Sequence, residues 1–510
     1  MNVLIAIYPY LFAVFPTLFL FFNNLPQYPV SFSETVIPLI MVIVFTFVCV
    51  EGLSRLFKNR QKPSLVVSLF VLLFFSYGRL ETVFLRYPEF FPPLYLTLIF
   101  SCLTYAIISV RREFFAISRA AAMVGVLLVL MQPMAYIISR STDGVVPGSS
   151  HTSGSSGAFD ASAVRPDIYY IILDGYARQD VLSELYDHDN LAFIDELKGL
   201  GFFVAKNSSS NYPQTIHSLA SSLNMTYLDD FADRVGKQRY DRKPIEIMVQ
   251  ENAVLSFLTS RDYLTVAFGS GFRFTELKNA DIFLNPNYSL SEFQNLLLGS
   301  TPIPALSAKL SIGSISDTYR KRVLFTFDHL TDFTNLQNPK FVFAHLISPH
   351  PPFVFDEHGG PIISNRLTRF SDGNELIQSD QDREDYRKYY QKQLSFVSKK
   401  ILTIVRQLIT NSKTPPIIIL QSDHGPGLYW DIDSAEATNL HERMSNLTAL
   451  HLPGTSDILP YDSMTPVNIF RLIFNRYFGA SYEKLDDKNF FMKMNAPYDF
   501  IDVTDEMSRP

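Results

Sequence analysis

The chain has 510 residues, too many for one ordinary domain, and a formal net charge of -6 that gives no basis for a nucleic-acid partner. All ten histidines lie after position 150, whereas both cysteines, Cys49 and Cys102, lie in apolar segments before it. The C-terminal part therefore has no disulfide, no cysteine-held zinc cluster and no cysteine nucleophile.

Five apolar stretches come first, at about 3–22, 36–54, 63–78, 92–110 and 117–138. Most approach the ~20 residues that cross a hydrocarbon core of ~30 Å. The first is too long, and too soon followed by the second, for a simple cleaved signal peptide. The loop after the second stretch carries Arg55, Lys58, Arg60 and Lys62, and the loop after the fourth carries Arg111, Arg112 and Arg119. The loop after the first has no Lys or Arg, and in the loop after the third Arg79 and Arg86 are partly offset by Glu81 and Glu89. Positive residues stay on the cytoplasmic side, which puts the amino terminus inside and the chain after the fifth helix outside. A five-helix membrane domain is thus expected over 1–139, and a flexible Gly/Ser-rich linker, with His151 in it, over 140–164. An extracytoplasmic domain follows over 165–510.

That domain reads as alternating strands and helices. Ile168–Leu173 is a continuous apolar run that ends at Asp174-Gly175, and an amphipathic helix is expected from Leu182 to Leu200, closing at Gly201. Asn211–Leu223 reads as a loop entering a helix, with Thr215 at or near its N-terminus, where free N–H groups and the dipole favour an anion. Phe341–Ile347 is a second strand-like run, ending at Ser348-Pro349-His350. Tyr386, Tyr390, Leu394, Val397, Ile401, Ile404 and Leu408 give helical spacing over Glu384–Ile409. After Pro415-Pro416 the third run, Ile417–Leu420, leads into Ser422-Asp423-His424-Gly425, and Thr465-Pro466 opens a further helix. Apolar runs of this kind suit a mostly parallel sheet covered on both faces, which binds ligands at the carboxyl ends of its strands. Three strands that each deliver a carboxylate or imidazole to one edge point to a metal-centred active site.

Plainer readings stand beside this one. Asp174-Gly175 and Asp423-His424 also suit turns, and Thr215 a helix cap. His345 alternates with its strand neighbours and suits a packed or hydrogen-bonded role. His217 would face the pocket or solvent, and His188, His329, His358 and His451 have no supporting context.

Together these pieces resemble the alkaline phosphatase/sulfatase superfamily. More narrowly, they resemble its membrane-anchored members, the lipoteichoic acid synthases and the lipid A phosphoethanolamine transferases. The resemblance implies an α/β sulfatase-like (alkaline-phosphatase-like) catalytic domain with a mostly parallel central sheet, preceded by a five-helix membrane domain. It implies Asp174, Thr215, Asp423 and His424 as metal ligands, Thr215 also as nucleophile, and His350 and His441 as catalytic groups at the substrate phosphate. Sulfatases proper carry Cys or Ser in a Cys/Ser-x-Pro-x-Arg motif, because that residue is oxidised to formylglycine. Here the stretch is Thr215-Ile216-His217-Ser218-Leu219, and threonine cannot undergo that conversion.

A threonine hydroxyl is a poor nucleophile at neutral pH, and a divalent cation supplies the missing activation. The mixed oxygen and nitrogen donors suit one zinc or manganese ion, with magnesium or calcium as alternatives. The expected function is metal-dependent transfer of a phosphoethanolamine- or phosphoglycerol-type headgroup through a covalent phosphothreonine. The donor would be a membrane phospholipid and the acceptor an envelope glycan or glycolipid, with the protein a multi-pass component of the inner membrane and its catalytic domain in the periplasm. A membrane-tethered hydrolase using water, and a non-catalytic binding protein on the same fold, are the alternatives.

Overall fold

The structure, a computed structural model, describes residues 3–25, 31–84, 92–109, 114–140, 165–286, 290–304, 306, 315–362 and 371–507. They form two compact units, one of the N-terminal helices with residues 290–315 and the other built on the C-terminal sheet. Residues 141–164, the expected linker with His151, lie outside the described residues.

All five apolar stretches are helical: α1 (Val3–Asn24), α2 (Ser33–Phe57), α3 (Gln61–Phe84), α4 (Pro92–Ser109) and α5 (Phe115–Arg140). Among the described residues α1, α2, α3 and α5 are long and apolar enough to cross a membrane, whereas α4 contributes only the shorter apolar helix Leu96–Ser109. The expected count of five spans is corrected to four. The reason is length: among the described residues the apolar helix Leu96–Ser109 reaches about 21 Å at about 1.5 Å per residue, short of a hydrocarbon core of about 30 Å. The outward faces of α2 and α5 expose Ile37, Ile40, Met41, Val44, Leu127 and Leu130, a surface suited to lipid and not to water. The protein is a membrane protein.

The two ends of this helical unit differ. At one end Lys62 Nζ donates to the Ile108 carbonyl at 2.9 Å and Phe114 N–H donates to Gln61 Oε1 at 3.0 Å. The start of α3, the end of α4 and the start of α5, which flank the basic stretches of the sequence, therefore share a side, in keeping with the charge bias. At the other end lies the short helix Glu292–Gly299, whose Phe293 and Leu297 pack with Phe21 of α1. Gly78 N–H on α3 donates to the Ser300 carbonyl at 3.0 Å. A Cβ at Gly78 would lie 2.3 Å from the Gly299 carbonyl oxygen, so this close approach requires glycine. Gly78→Val is expected to destabilise the helical unit by about 1–3 kcal/mol through overpacking, read as a fall in Tm of the solubilised protein.

The second unit carries a seven-stranded sheet of β1 (Ile168–Leu173), β2 (Phe202–Val204), β3 (Leu264–Phe268), β4 (Ile282–Leu284), β5 (Lys340–Leu346), β6 (Ile417–Gln421) and β7 (Thr448–His451). Its order is β2-β7-β6-β1-β5-β3-β4; β7 runs antiparallel to its neighbours β6 and β2, and the remaining pairs are parallel. Every residue of β1, β5 and β6 is buried, which explains why these strands read as unbroken apolar runs. The register aligns Ile172 with both His345 and Gln421, so β1, β5 and β6 end at one edge.

Where one long amphipathic helix was expected from Leu182 to Leu200, there are two, Gln179–Tyr186 and Leu191–Gly199. The break is Asp187-His188-Asp189-Asn190, short polar residues that compete with helix by bonding their own backbone, and Asp187 takes a left-handed φ of 45°. The expected helix over Glu384–Ile409 is longer at both ends, Asp380–Asn411. Thr465-Pro466 does open a helix, Pro466–Phe478, with proline in its first turn.

Candidate metal centre and active site

Asp174 follows the last residue of β1, and its backbone extends the ladder: its N–H donates to the Leu346 carbonyl at 3.0 Å, and its carbonyl accepts from His350 N–H at 2.9 Å. Gly175 then turns the chain at φ +68°, and a Cβ there would stand 3.4 Å from the His350 Cβ. Its N–H donates to Asp423 Oδ1 at 3.3 Å, which ties the ends of β1 and β6 together. One donor atom from each of Asp174, Asp423 and His424 falls within 4.8 Å of the others, and all three residues are buried. His424 Nε2 stands 3.3 Å from Asp423 Oδ2 and 3.7 Å from Asp174 Oδ1.

Three observations fit this cluster to a divalent cation. Asp174 Oδ1 and Asp423 Oδ2 are buried without a hydrogen-bond partner, a costly condition for paired carboxylates unless a cation balances them. His424 Nδ1–H donates to the Gly425 carbonyl at 2.8 Å, which leaves the Nε2 lone pair turned toward the carboxylates. Burial, reinforced by Arg443, pushes the His424 pKa down to about 3, so the ring is neutral as a ligand must be.

Thr215 is the first residue of the helix Thr215–Asn224, with Gln214 in the capping position. Its hydroxyl lies 3.1 Å from His424 Nε2, so it faces the cluster and does not cap the helix. Ser218, one turn on, is fully buried and donates to the Asp423 carbonyl at 2.7 Å, a positioning contact for β6's end.

His345 is buried behind the cluster. Its Nε2–H donates to Asp174 Oδ2 at 3.0 Å, and its Nδ1 accepts from the Thr275 hydroxyl at 2.7 Å. The hydrogen-bonded role read from its strand position is therefore also a supporting role at the site: it orients one ligand. His345→Gln is expected to weaken divalent-cation affinity by roughly 10–100-fold, measured by competition against a chelator. Excess cation should restore turnover, which loss of a reacting group would not allow.

His350 reaches the site from the loop after β5. Its Nδ1–H donates to the Pro351 carbonyl, and its Nε2 lies 3.3 Å from Asp372 Oδ2. Burial opposes its charge, but Asp174 and Asp372 outweigh it and raise the pKa to about 9. His350 and His424 are neighbours, with ring centroids 6.1 Å apart.

His441 is not brought to the cluster. Its ring is 41% exposed, and its Nε2 lies 3.6 Å from both Asp180 Oδ2 and Glu184 Oε2. Arg443 stands beside His424 instead. Residues two apart on a helix face different ways, and both sit on the short helix Leu440–Met444. The Arg443 guanidinium donates to Asp372 Oδ2 at 2.7 Å, His424 Nε2 at 3.3 Å and the Pro213 carbonyl at 2.8 Å. It stacks 3.6 Å from the centre of the Trp430 ring. Asp372 also accepts from the Tyr386 hydroxyl at 2.9 Å. Burial works against its charge, yet His350 and Arg443 hold it well below the usual carboxylate range.

Arg443 and Asp372 are thus site residues that sequence reasoning missed. The available signal was Arg443 itself, a charged residue between the apolar runs of β6 and β7, but the family resemblance drew the assignment to His441. His217 faces neither pocket nor solvent: it is buried, its Nε2–H donates to the Pro497 carbonyl at 2.8 Å, and its pKa is pushed down to about 3 by burial.

Several solved structures resemble the chain. The C-terminal periplasmic domain of EcEptC from Escherichia coli has 12% identity and a TM-score of 0.43, covering 70% of this chain and 96% of that one. The integral membrane lipooligosaccharide phosphoethanolamine transferase A from Neisseria meningitidis has 12% identity and a TM-score of 0.38, covering 88% of each. The phosphonate monoester hydrolase of Agrobacterium radiobacter has 14% identity and a TM-score of 0.41, covering 64% of this chain and 80% of that one. No curated protein matches. Residues 166–451, more than half of the chain, match the sulfatase family model, and the chain is an enzyme of the sulfatase family.

Proposed function

We propose that this enzyme transfers a phospho-headgroup, of phosphoethanolamine or phosphoglycerol type, from a membrane phospholipid to a cell-envelope glycan or glycolipid. The reaction would pass through a covalent phosphothreonine on Thr215. The observation that carries the reading is the Thr215 hydroxyl, held at a helix start and 3.1 Å from His424 Nε2.

Asp174, Asp423, His424 and Thr215 would hold one divalent cation, zinc or manganese by their mixed donors. When bound, the cation lowers the pKa of a neighbouring hydroxyl and neutralises phosphate charge. The chain's own groups supply the rest. Thr215 Oγ1 attacks the donor phosphorus in line, the phosphorus–oxygen bond to the diacylglycerol breaks, and the lipid alcohol leaves with a proton. An acceptor hydroxyl then attacks the phosphothreonine and releases Thr215. The helix N-terminus supplies N–H dipoles where phosphate charge accumulates. His350, whose Nε2 lies 3.3 Å from Asp372 Oδ2, is suited to pass a proton to the departing oxygen or to hold a phosphate oxygen. Arg443 adds a fixed positive charge beside them. Its bond to Asp372 supports a single-cation site, since that carboxylate is already paired.

On this reading the membrane helices run to about 139, a linker covers 140–164 and the catalytic domain covers 165–510, with residues 290–315 grouped with the helical unit. The basic loops gathered at one end of the helical unit support a cytoplasmic face there and an extracytoplasmic, periplasmic catalytic domain on an inner membrane.

Bis-p-nitrophenyl phosphate or a fluorescent phospholipid should be turned over in a Mn²⁺- or Zn²⁺-dependent way, while p-nitrophenyl sulfate should not. Cleavage of the sulfate ester with both phosphodiesters left intact would overturn the proposal. Lipid turnover that is unchanged by any acceptor glycan would identify water as the acceptor instead.

A further inference from the structure

Residues 290–306 leave the catalytic unit after β4 and join the helical unit, although nothing in their spacing from the membrane helices announces it. Ser291 and Gln294 form a capping box: the Ser291 hydroxyl accepts from Gln294 N–H, and Gln294 Oε1 accepts from Ser291 N–H, each at 3.2 Å. The other end of the same amide, Gln294 Nε2, donates to the Glu34 carbonyl at the start of α2 at 3.3 Å. One side chain thus starts the helix and ties it to the bundle. Phe293 and Leu297, one turn apart, face inward onto Phe21 and partly buried Leu20, Phe22, Leu25 and Phe75. Leu296 on this helix and Ile303 and Leu306 beyond it are exposed at 50%, 43% and 49%. Glu292 is the single charged residue of this segment.

Depth identifies what meets that apolar side. Gln61, beside the basic loops, and Gly78, beside Ser300, both lie on α3. At about 1.5 Å per residue they stand about 25 Å apart along the helix, against a hydrocarbon core of about 30 Å. If the basic loops mark the cytoplasmic boundary, the segment lies just inside the opposite one. The exposed residues of α2, from Val36 through Ile37, Ile40 and Met41, begin two positions after Glu34, whose carbonyl holds Gln294, so the segment is tied to the end of α2 where its exposed apolar surface starts.

We propose that residues 290–306 are a membrane-embedded foot, with Leu296, Ile303 and Leu306 seated among lipid acyl chains at the glycerol level of the outer leaflet. The proposal rests on the membrane-spanning reading of the helices. A segment in that position gains by burying exposed apolar side chains at the headgroup–acyl boundary. An insertion within the catalytic sequence would then be a lipid-contacting element in its own right, in addition to the spanning helices.

The test uses the full chain in phosphatidylethanolamine/phosphatidylglycerol nanodiscs, with Cys49→Ala and Cys102→Ala as background. Single cysteines, Leu296→Cys and Leu306→Cys in separate proteins, carry an environment-sensitive fluorophore. The quenchers are phospholipids with a doxyl group near the glycerol end of the acyl chain for the foot labels and near its methyl end for the mid-helix control. Val44→Cys, exposed mid-way along α2, is the lipid-facing control, and Lys413→Cys, exposed in the catalytic unit, is the aqueous one. Both foot labels are expected to lose most of their fluorescence to their quencher, as Val44→Cys does to its own, while Lys413→Cys keeps it. If they behave like Lys413→Cys while Val44→Cys is quenched, the segment stands clear of lipid and the proposal is overturned. If Val44→Cys also escapes quenching, the membrane-spanning reading fails and takes the proposal with it.

Discussion

Thr215→Ala is expected to lower phosphodiester turnover at least about a thousandfold, the scale on which loss of a nucleophile acts in hydrolases that use one. Fold and cation content should persist. The hydroxyl caps no helix, Gln214 holds the capping position, and Asp174, Asp423 and His424 remain to hold the ion. Circular dichroism and metal analysis of the variant would check this half. Mass spectrometry after exposure to labelled lipid would check the other: wild type should carry an adduct on Thr215 and the variant none. Ser218 is no substitute, because its hydroxyl is buried and donates to the Asp423 carbonyl. Retention of most activity by Thr215→Ala would place the nucleophile elsewhere.

Asp423→Asn should fail differently. It removes one of two buried carboxylates facing the same point, and with it a charge the cation needs. Affinity should fall by more than the roughly 10–100-fold typical of a supporting residue, and turnover should fall with it, partly restored by excess cation. Stability gives a second signature. Binding to the folded state alone raises Tm, so cation should raise the Tm of wild type and leave that of Asp423→Asn nearly unchanged. Without cation the order should reverse, because asparagine relieves repulsion between Asp174 Oδ1 and Asp423 Oδ2, both unpartnered. A metal-free variant that melts well below metal-free wild type would show Asp423 to be a structural anchor and not a ligand.

The sequence by itself determined the catalytic edge. Ile168–Leu173, Phe341–Ile347 and Ile417–Leu420 are legible as buried parallel strands because burial on both faces demands unbroken apolar runs. Parallel strands in register end together, so Asp174, His350, Asp423 and His424 converge without any knowledge of the loops between them. Thr215 was legible because a helix start is a local signal. The helices α1, α2, α3 and α5 were legible because lipid asks only for length and apolarity.

Only the tertiary structure decided which groups support that edge. Asp372 lies in a loop with no periodic pattern, and its role exists only because Tyr386, His350 and Arg443 meet it from three other elements. The phase of one short helix puts Arg443 and not His441 beside His424, a matter of orientation that composition does not carry. His345 could be placed as hydrogen-bonded, but its partner Thr275 comes from a segment seventy positions away in the chain. The segment 290–306 shows the limit most plainly. A capping box followed by an amphipathic turn reads the same whether its apolar side meets a sheet, a bundle or lipid. The local free energy of forming the helix is indifferent to that choice, and the surface it packs against is set by residues far away in the chain.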